Sequence, residues 1–215
     1  MPISIILLGV FIIFLNFKIG YSTIKKLSIS TYALDIVCLL AFLLMCIRPL
    51  VFWERVYVNL GGFFVFSTLA FYFITIKLTK PEQKKLFSSF FTFFMVAFLL
   101  QLIIPYFQMD LFEPSLILLS VVIGLLTYLT SKNVTIAFST IFIGYPLLSI
   151  SWFLLKELTL PFETLLLGTG NLFEMSVLSM LTVFLTVASA EIIKNFTTKL
   201  KLNLLKHKKE INNEL

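Results

Sequence analysis

A polytopic bundle of membrane-spanning α-helices is the fold class this sequence predicts. Three observations predict it. Hydrophobic residues make up 59% of the 215, and the mean hydropathy is +1.02. Charged residues are 13%, about half the usual share of roughly 25% in soluble domains, so a soluble fold could not hide the apolar surface. Several apolar runs reach the roughly 20 residues needed to cross about 30 Å of hydrocarbon. The runs are continuous and do not alternate, which argues against a β-barrel.

Seven spans follow in order. The first covers about 3–22 and starts almost at the initiator methionine. It lacks a basic leader and a small-residue cleavage site, so an anchor is expected and not a cleaved signal. The second covers about 30–47 and is stopped by Arg48-Pro49. The third to sixth cover about 56–76, 86–107, 112–131 and 134–155. The seventh covers about 171–193, which sets a helix bundle over 1–193 and a basic tail over 194–215. The tail carries Leu200, Leu202, Leu204 and Leu205 among its lysines. It reads either as a short interfacial helix on anionic lipid or as a disordered topogenic segment.

Charge sets the expected orientation. Fourteen of the seventeen Lys and Arg residues fall after spans one, three, five and seven; only Arg48, Arg55 and Lys156 fall in the other loops. The positive-inside rule then puts the N-terminus outside and the C-terminus in the cytoplasm. The net charge of +6 is topogenic on this reading, and nucleic acid is a poor partner for it. The expected environment is the lipid bilayer of the cell membrane, with other membrane proteins or further copies of the chain as neighbours. Glu54, Asp110, Glu113, Glu157 and Glu163 fall in the outer loops, where ordinary solvation accounts for them and a weak external cation site is the sharper alternative.

The richness in Phe, 25 residues, goes with plentiful Ile, Lys and Asn and reads more as coding bias than as chemistry. Cys38 and Cys46 lie more than two turns apart in one run and cannot bridge within that helix; they read as packing thiols. Ionisable groups inside a span are costly, and three candidates occur. Asp35 is expected in the first turn of the second span, where negative charge is favoured. Glu191 is expected to reach interfacial water near Lys194. Glu174 stands near the outer start of span seven, in "LLLGTGNLFEM".

That stretch allows two readings. In the first, Gly168 and Gly170 turn the chain, Asn171 caps the helix, and Glu174 reaches back from the third position as in a capping box. In the second, Thr169, Asn171 and Glu174 line an outward polar pocket, and Gly168 and Gly170 let backbone approach a ligand. Asn59, with Gly61 and Gly62 beside it, falls at the same membrane face and would share the pocket. A phosphate cradle is disfavoured, because no Gly-Lys-Ser/Thr is present and Glu174 would repel an anion. The apolar loop 156–170 is also a candidate to re-enter the membrane. Ser176, Ser179, Val183, Thr186 and Ala190 form a small stripe expected to pack against other helices.

Absent residues restrict the chemistry. The only histidine, His207, is in the tail, which removes Ser–His and HExxH proteolysis. Asp35 and Asp110 are the only aspartates and are expected near opposite faces, so an aspartyl dyad does not form. No lysine lies mid-way in span seven to hold retinal. No catalytic residue, metal site or cofactor is expected.

Three short elements resemble a family of prokaryotic multi-spanning proteins known only as a domain of unknown function, numbered sixteen-fourteen. They are the opening "MPISIILL", the Asn59-x-Gly61-Gly62 element, and "GTGNLFE" with Phe173-Glu174. The similarity would span roughly 1–193. It departs from the family pattern at Glu174, where an aspartate is usual, at Met175, where a small residue is usual, and in having fewer glycines. The resemblance implies an integral protein of the prokaryotic cell membrane and supplies no activity. The function expected is a non-enzymatic membrane scaffold or partner subunit; the alternative is a small permease or solute-binding protein using Asn59, Thr169, Asn171 and Glu174.

Overall fold

The structure is a computed structural model and describes residues 3–17, 25, 27, 29–103, 114–159 and 164–213. It is mostly helical (82%), with seven helices among the described residues. They are α1 (Ile3–Asn16), α2 (Thr31–Met45), α3 (Leu60–Lys77), α4 (Lys80–Ile103), α5 (Pro114–Ser131), α6 (Val134–Thr159) and α7 (Asn171–Asn213). Of these, α3, α4, α6 and α7 are long and apolar enough to cross a membrane, while α2 and α5 are shorter apolar helices. The helices start and stop near the expected spans, with informative differences.

Three short strands form one sheet between the helix ends. β1 (Leu50–Trp53) and β2 (Val56–Val58) make an antiparallel hairpin, and β3 (Leu165–Leu167) pairs with β2 in parallel. The expected third span therefore begins too early: residues 56–58 are strand, and the helix starts at Leu60. The reason is local. "LVFWERVYV" is rich in β-branched and aromatic residues around a Glu-Arg turn, which suits a pleated ribbon. The Leu165–Leu167 part of the 156–170 loop is likewise strand. The neighbouring residues 160–163 lie outside the described residues, as do Asp110 and Glu113.

α6 is the central helix: 72% of its Val134–Lys156 window is buried, against 17% for Lys80–Leu100 of α4. α4 turns Phe87, Phe91, Met95 and Leu99 outward at four-residue spacing. A one-helix-wide stripe of large exposed apolar side chains suits hydrocarbon and not water. Inside, phenylalanine is structural whatever its coding origin. Phe66 stacks on Phe142 with ring centroids 4.9 Å apart and leans on Phe173 at 5.5 Å. Phe11 meets Phe184 edge-on at 5.3 Å, and Phe93 meets Tyr145 edge-on at 5.1 Å.

The small stripe of α7 packs as expected over its first half. Ser176, Ser179 and Val183 are buried, and Gly124 of α5 sits against the Ser179 backbone. Ser179 Oγ donates to the Ser120 carbonyl at 2.9 Å. The Tyr145 hydroxyl, 2.9 Å away, must then be the donor to Ser179. The stripe ends at Ala190, which is exposed.

Two turns tie the bundle at its other end. Glu82 Oε2 accepts from the Thr79 N–H at 2.9 Å and from its hydroxyl at 2.8 Å, and Glu82 Oε1 accepts from Asn133 Nδ2 at 3.1 Å. The carboxylate thus fixes the start of α4 and joins it to the α5–α6 turn. Glu82→Ala loses all three bonds and should lower stability by about 1 kcal/mol, since these groups are part-exposed and water replaces them. Thermal unfolding of the purified protein in detergent checks this. Glu82→Ala with an unchanged midpoint would mean that the two turns are joined by packing alone.

α7 is continuous for 43 residues, about 65 Å at 1.5 Å per residue. The tail from Lys194 to Asn213 is therefore helix, in register with the last span, and the disordered alternative is not what the structure has. Asp35 also departs from expectation. Ser30 caps α2 by accepting from the Ala33 N–H at 3.1 Å, which leaves Asp35 beyond the first turn.

Candidate functional site

Asn59 is the centre of the strand-bearing end. It precedes α3, is 4% exposed, and its side chain caps two helices at once. Oδ1 accepts from the Gly62 N–H at 3.0 Å, closing the N-terminus of α3. Nδ2 donates to the Met45 and Ile47 carbonyls at 3.3 and 3.4 Å, closing the C-terminus of α2. Helix C-termini leave such carbonyls without intrahelical donors, and an amide supplies a donor and an acceptor together. The Asn59 main chain is used as well: its N–H donates to the Leu167 carbonyl at 2.8 Å, and its own carbonyl accepts from Phe63 at 2.9 Å.

The glycines make that closeness possible. A Cβ on Gly61 would overlap the Ala41 carbonyl oxygen, so Gly61 sets how near α3 comes to α2. A Cβ on Gly62 would overlap the Gly168 carbonyl oxygen and lie 2.7 Å from its carbonyl carbon. Gly168 has φ +74°, in the left-handed region, and presses on the Phe63 N–H and the Gly62 backbone. One glycine of each pair, Gly62 and Gly168, thus packs backbone against backbone. Gly170, at φ +80°, completes the turn into α7.

That turn corrects the expected cap. α7 begins at Asn171, and the Gly170 carbonyl accepts from the Glu174 N–H at 3.0 Å. Gly170 therefore holds the cap position and Glu174 is the fourth helical residue, one too far for a capping box led by Asn171. The Asn171 side chain lies outside the described residues. Glu174 is 2% exposed. Thr169 is half-buried.

A cavity of about 330 Å³ opens at this end, lined by Ile5, Met45, Cys46, Ile47, Arg48, Pro49, Asn59, Gly168 and Thr169. Asn59 and Thr169 both line it. The charged residue among the described lining residues is Arg48, and Glu174 does not line the cavity. In the sequence Arg48 served as a stop after the second span and as a topology marker; the signal for more was an arginine, in place of the usual lysine, directly at a helix end. A second, wholly different cavity of about 490 Å³ runs between α2 and α3, lined by apolar residues including Leu34, Val37, Leu40 and Leu69, with Thr68 and Tyr72. Among the described residues, no cluster of His, Cys, Asp and Glu could hold a metal ion.

No family model, curated protein or solved structure matches the chain. The reading of the site rests on its geometry.

Proposed function

We propose that the chain is a seven-span protein of the cell membrane, N-terminus outside and C-terminus in the cytoplasm, serving as a non-enzymatic scaffold or partner subunit. The single observation that supports it best is the use to which the candidate residues are put. Both amide groups of Asn59 and the backbones of Gly62 and Gly168 are consumed in joining α2, α3, the sheet and the start of α7. These are the bonds of a structural joint. The length of α7 agrees with a partner role: its 43 residues exceed a bilayer core of about 30 Å roughly twofold, so it carries a basic helix beyond the last span. The distribution of lysines supports the orientation.

The experiment is chemical crosslinking in native membranes, followed by sizing in mild detergent. One discrete species larger than the 24.7 kDa chain is expected, and Glu174→Gln should leave it intact. A monomer under all crosslinking conditions would overturn the scaffold reading. A second reading, a small permease or solute-binding protein, is favoured by one observation, the cavity bordered by Asn59 and Thr169. Loss of a measurable solute flux with Thr169→Val, in a protein that still folds, would favour it.

A further inference from the structure

We infer that the cavity between the ends of α1 and α2 and the 168–169 turn binds an amphiphilic anion, a phosphate or carboxylate head with a short apolar body. The inference goes beyond the scaffold role and does not depend on it. It starts from what each lining residue has left to offer. Asn59 is closed to a ligand, because its Oδ1 and Nδ2 are already bonded to Gly62, Met45 and Ile47. The described lining residues with polar side chains left to offer are Arg48, Thr169 and Cys46. None of the described lining residues is acidic, and no described carboxylate pairs with Arg48.

A guanidinium with no described carboxylate beside it is a fork of N–H donors that matches the oxygens of a phosphate or carboxylate. A neighbouring hydroxyl adds a donor that suits the same oxygens. The rest of the wall, Ile5, Met45, Ile47 and Pro49, is apolar and offers nothing to a fully hydrated ion. At about 330 Å³ the space falls at the low end of small-molecule sites, enough for a head group and a few carbons. The site also lies where α2 ends, at the boundary between an apolar helix and exposed residues 46–50. A ligand there meets hydrocarbon on one side and water on the other.

Cys46 is a native reporter of occupancy. It lines the cavity and is exposed, whereas Cys38 is buried in the core. The test measures alkylation of Cys46 in the full chain, held in phosphatidylcholine nanodiscs. Three probes are compared: phosphatidylglycerol in the disc, decanoate in solution, and inorganic phosphate. At about ten times the dissociation constant a bound probe should slow labelling about tenfold, and Arg48→Gln should abolish that protection. Protection by phosphatidylglycerol alone would identify a lipid head group as the source. Protection by decanoate in plain phosphatidylcholine would identify a free amphiphilic anion, and protection by inorganic phosphate equal to that by decanoate would overturn the apolar part of the proposal. No protection by any probe, or equal protection in Arg48→Gln, overturns the site. If Arg48→Gln changes the unprotected rate, Arg48→Lys keeps the charge and should retain part of the protection; complete loss there also overturns the proposal.

Discussion

Gly62→Ala is expected to destabilise the native bundle strongly. The added methyl would fall on the Gly168 carbonyl oxygen and within 2.7 Å of its carbonyl carbon, and both are backbone atoms. Backbone held in a sheet pairing and a left-handed turn cannot step aside as a flexible side chain can. Overpacking of a well-packed site usually costs about 1–3 kcal/mol. Here the strain falls on a joint shared by α2, α3, β3 and α7, so about 4 kcal/mol or more is expected, in the range that single mechanisms rarely exceed. Against a typical stability of about 5–15 kcal/mol, that removes a quarter or more of the margin. Size-exclusion profiles in detergent and protease resistance read it directly. Gly9→Ala is the control, because a Cβ there meets nothing within 4 Å; it should be neutral or slightly stabilising. A monodisperse, protease-resistant Gly62→Ala would mean that the 168–170 turn is not clamped to α3.

The second large effect is at Asn59. Asn59→Leu removes the cap on Gly62 and both donors to Met45 and Ile47, and leaves buried backbone groups without partners. Loss of a cap costs about 1 kcal/mol and each unsatisfied buried group about 1–3 kcal/mol, so roughly 3 kcal/mol is expected. Asn59→Asp separates the two roles. It keeps the acceptor for Gly62 and turns a second oxygen toward the two α2 carbonyls. Acceptor against acceptor, at a site 4% exposed, should make it at least as damaging as Asn59→Leu. A near-neutral Asn59→Asp in thermal unfolding would show that the α2 carbonyls gain nothing from the amide.

The helices were legible in the sequence because each is a continuous apolar run, and burial in lipid or protein needs only that run. α6 shows the limit. Its pattern is that of any span, yet it is the one surrounded by the others, and only the contacts decide this. The hairpin was not legible because "VYV" joins directly onto "NLGGFF", so strand and helix read as one apolar stretch. β3 was harder still. "LLL" has no intrinsic strand signal, and its strand state comes from a partner far away in the chain. Asn59, Gly62 and Gly168 stood out as special positions and do meet at one end. The sequence could not say that they meet each other, because a glycine that admits a ligand and a glycine that admits backbone are the same residue. Arg48 escaped notice since a charge count treats it only as a topology marker.

The parallel pairing of β2 with β3 also has a clock in it. The two strands are separated by roughly a hundred residues of chain, so during synthesis at about ten residues per second the β2 edge is finished on the order of ten seconds before its partner exists. Through that interval α4, α5 and α6 must leave the ribosome and find their places while the hairpin waits with an open edge, a surface prone to wrong partners. Only when Leu165 to Gly168 arrive can Gly62 meet its counterpart. Assembly therefore ends at the same joint that holds the finished protein, and a chain stopped before residue 165 would lack both β3 and the meeting of Gly62 with Gly168.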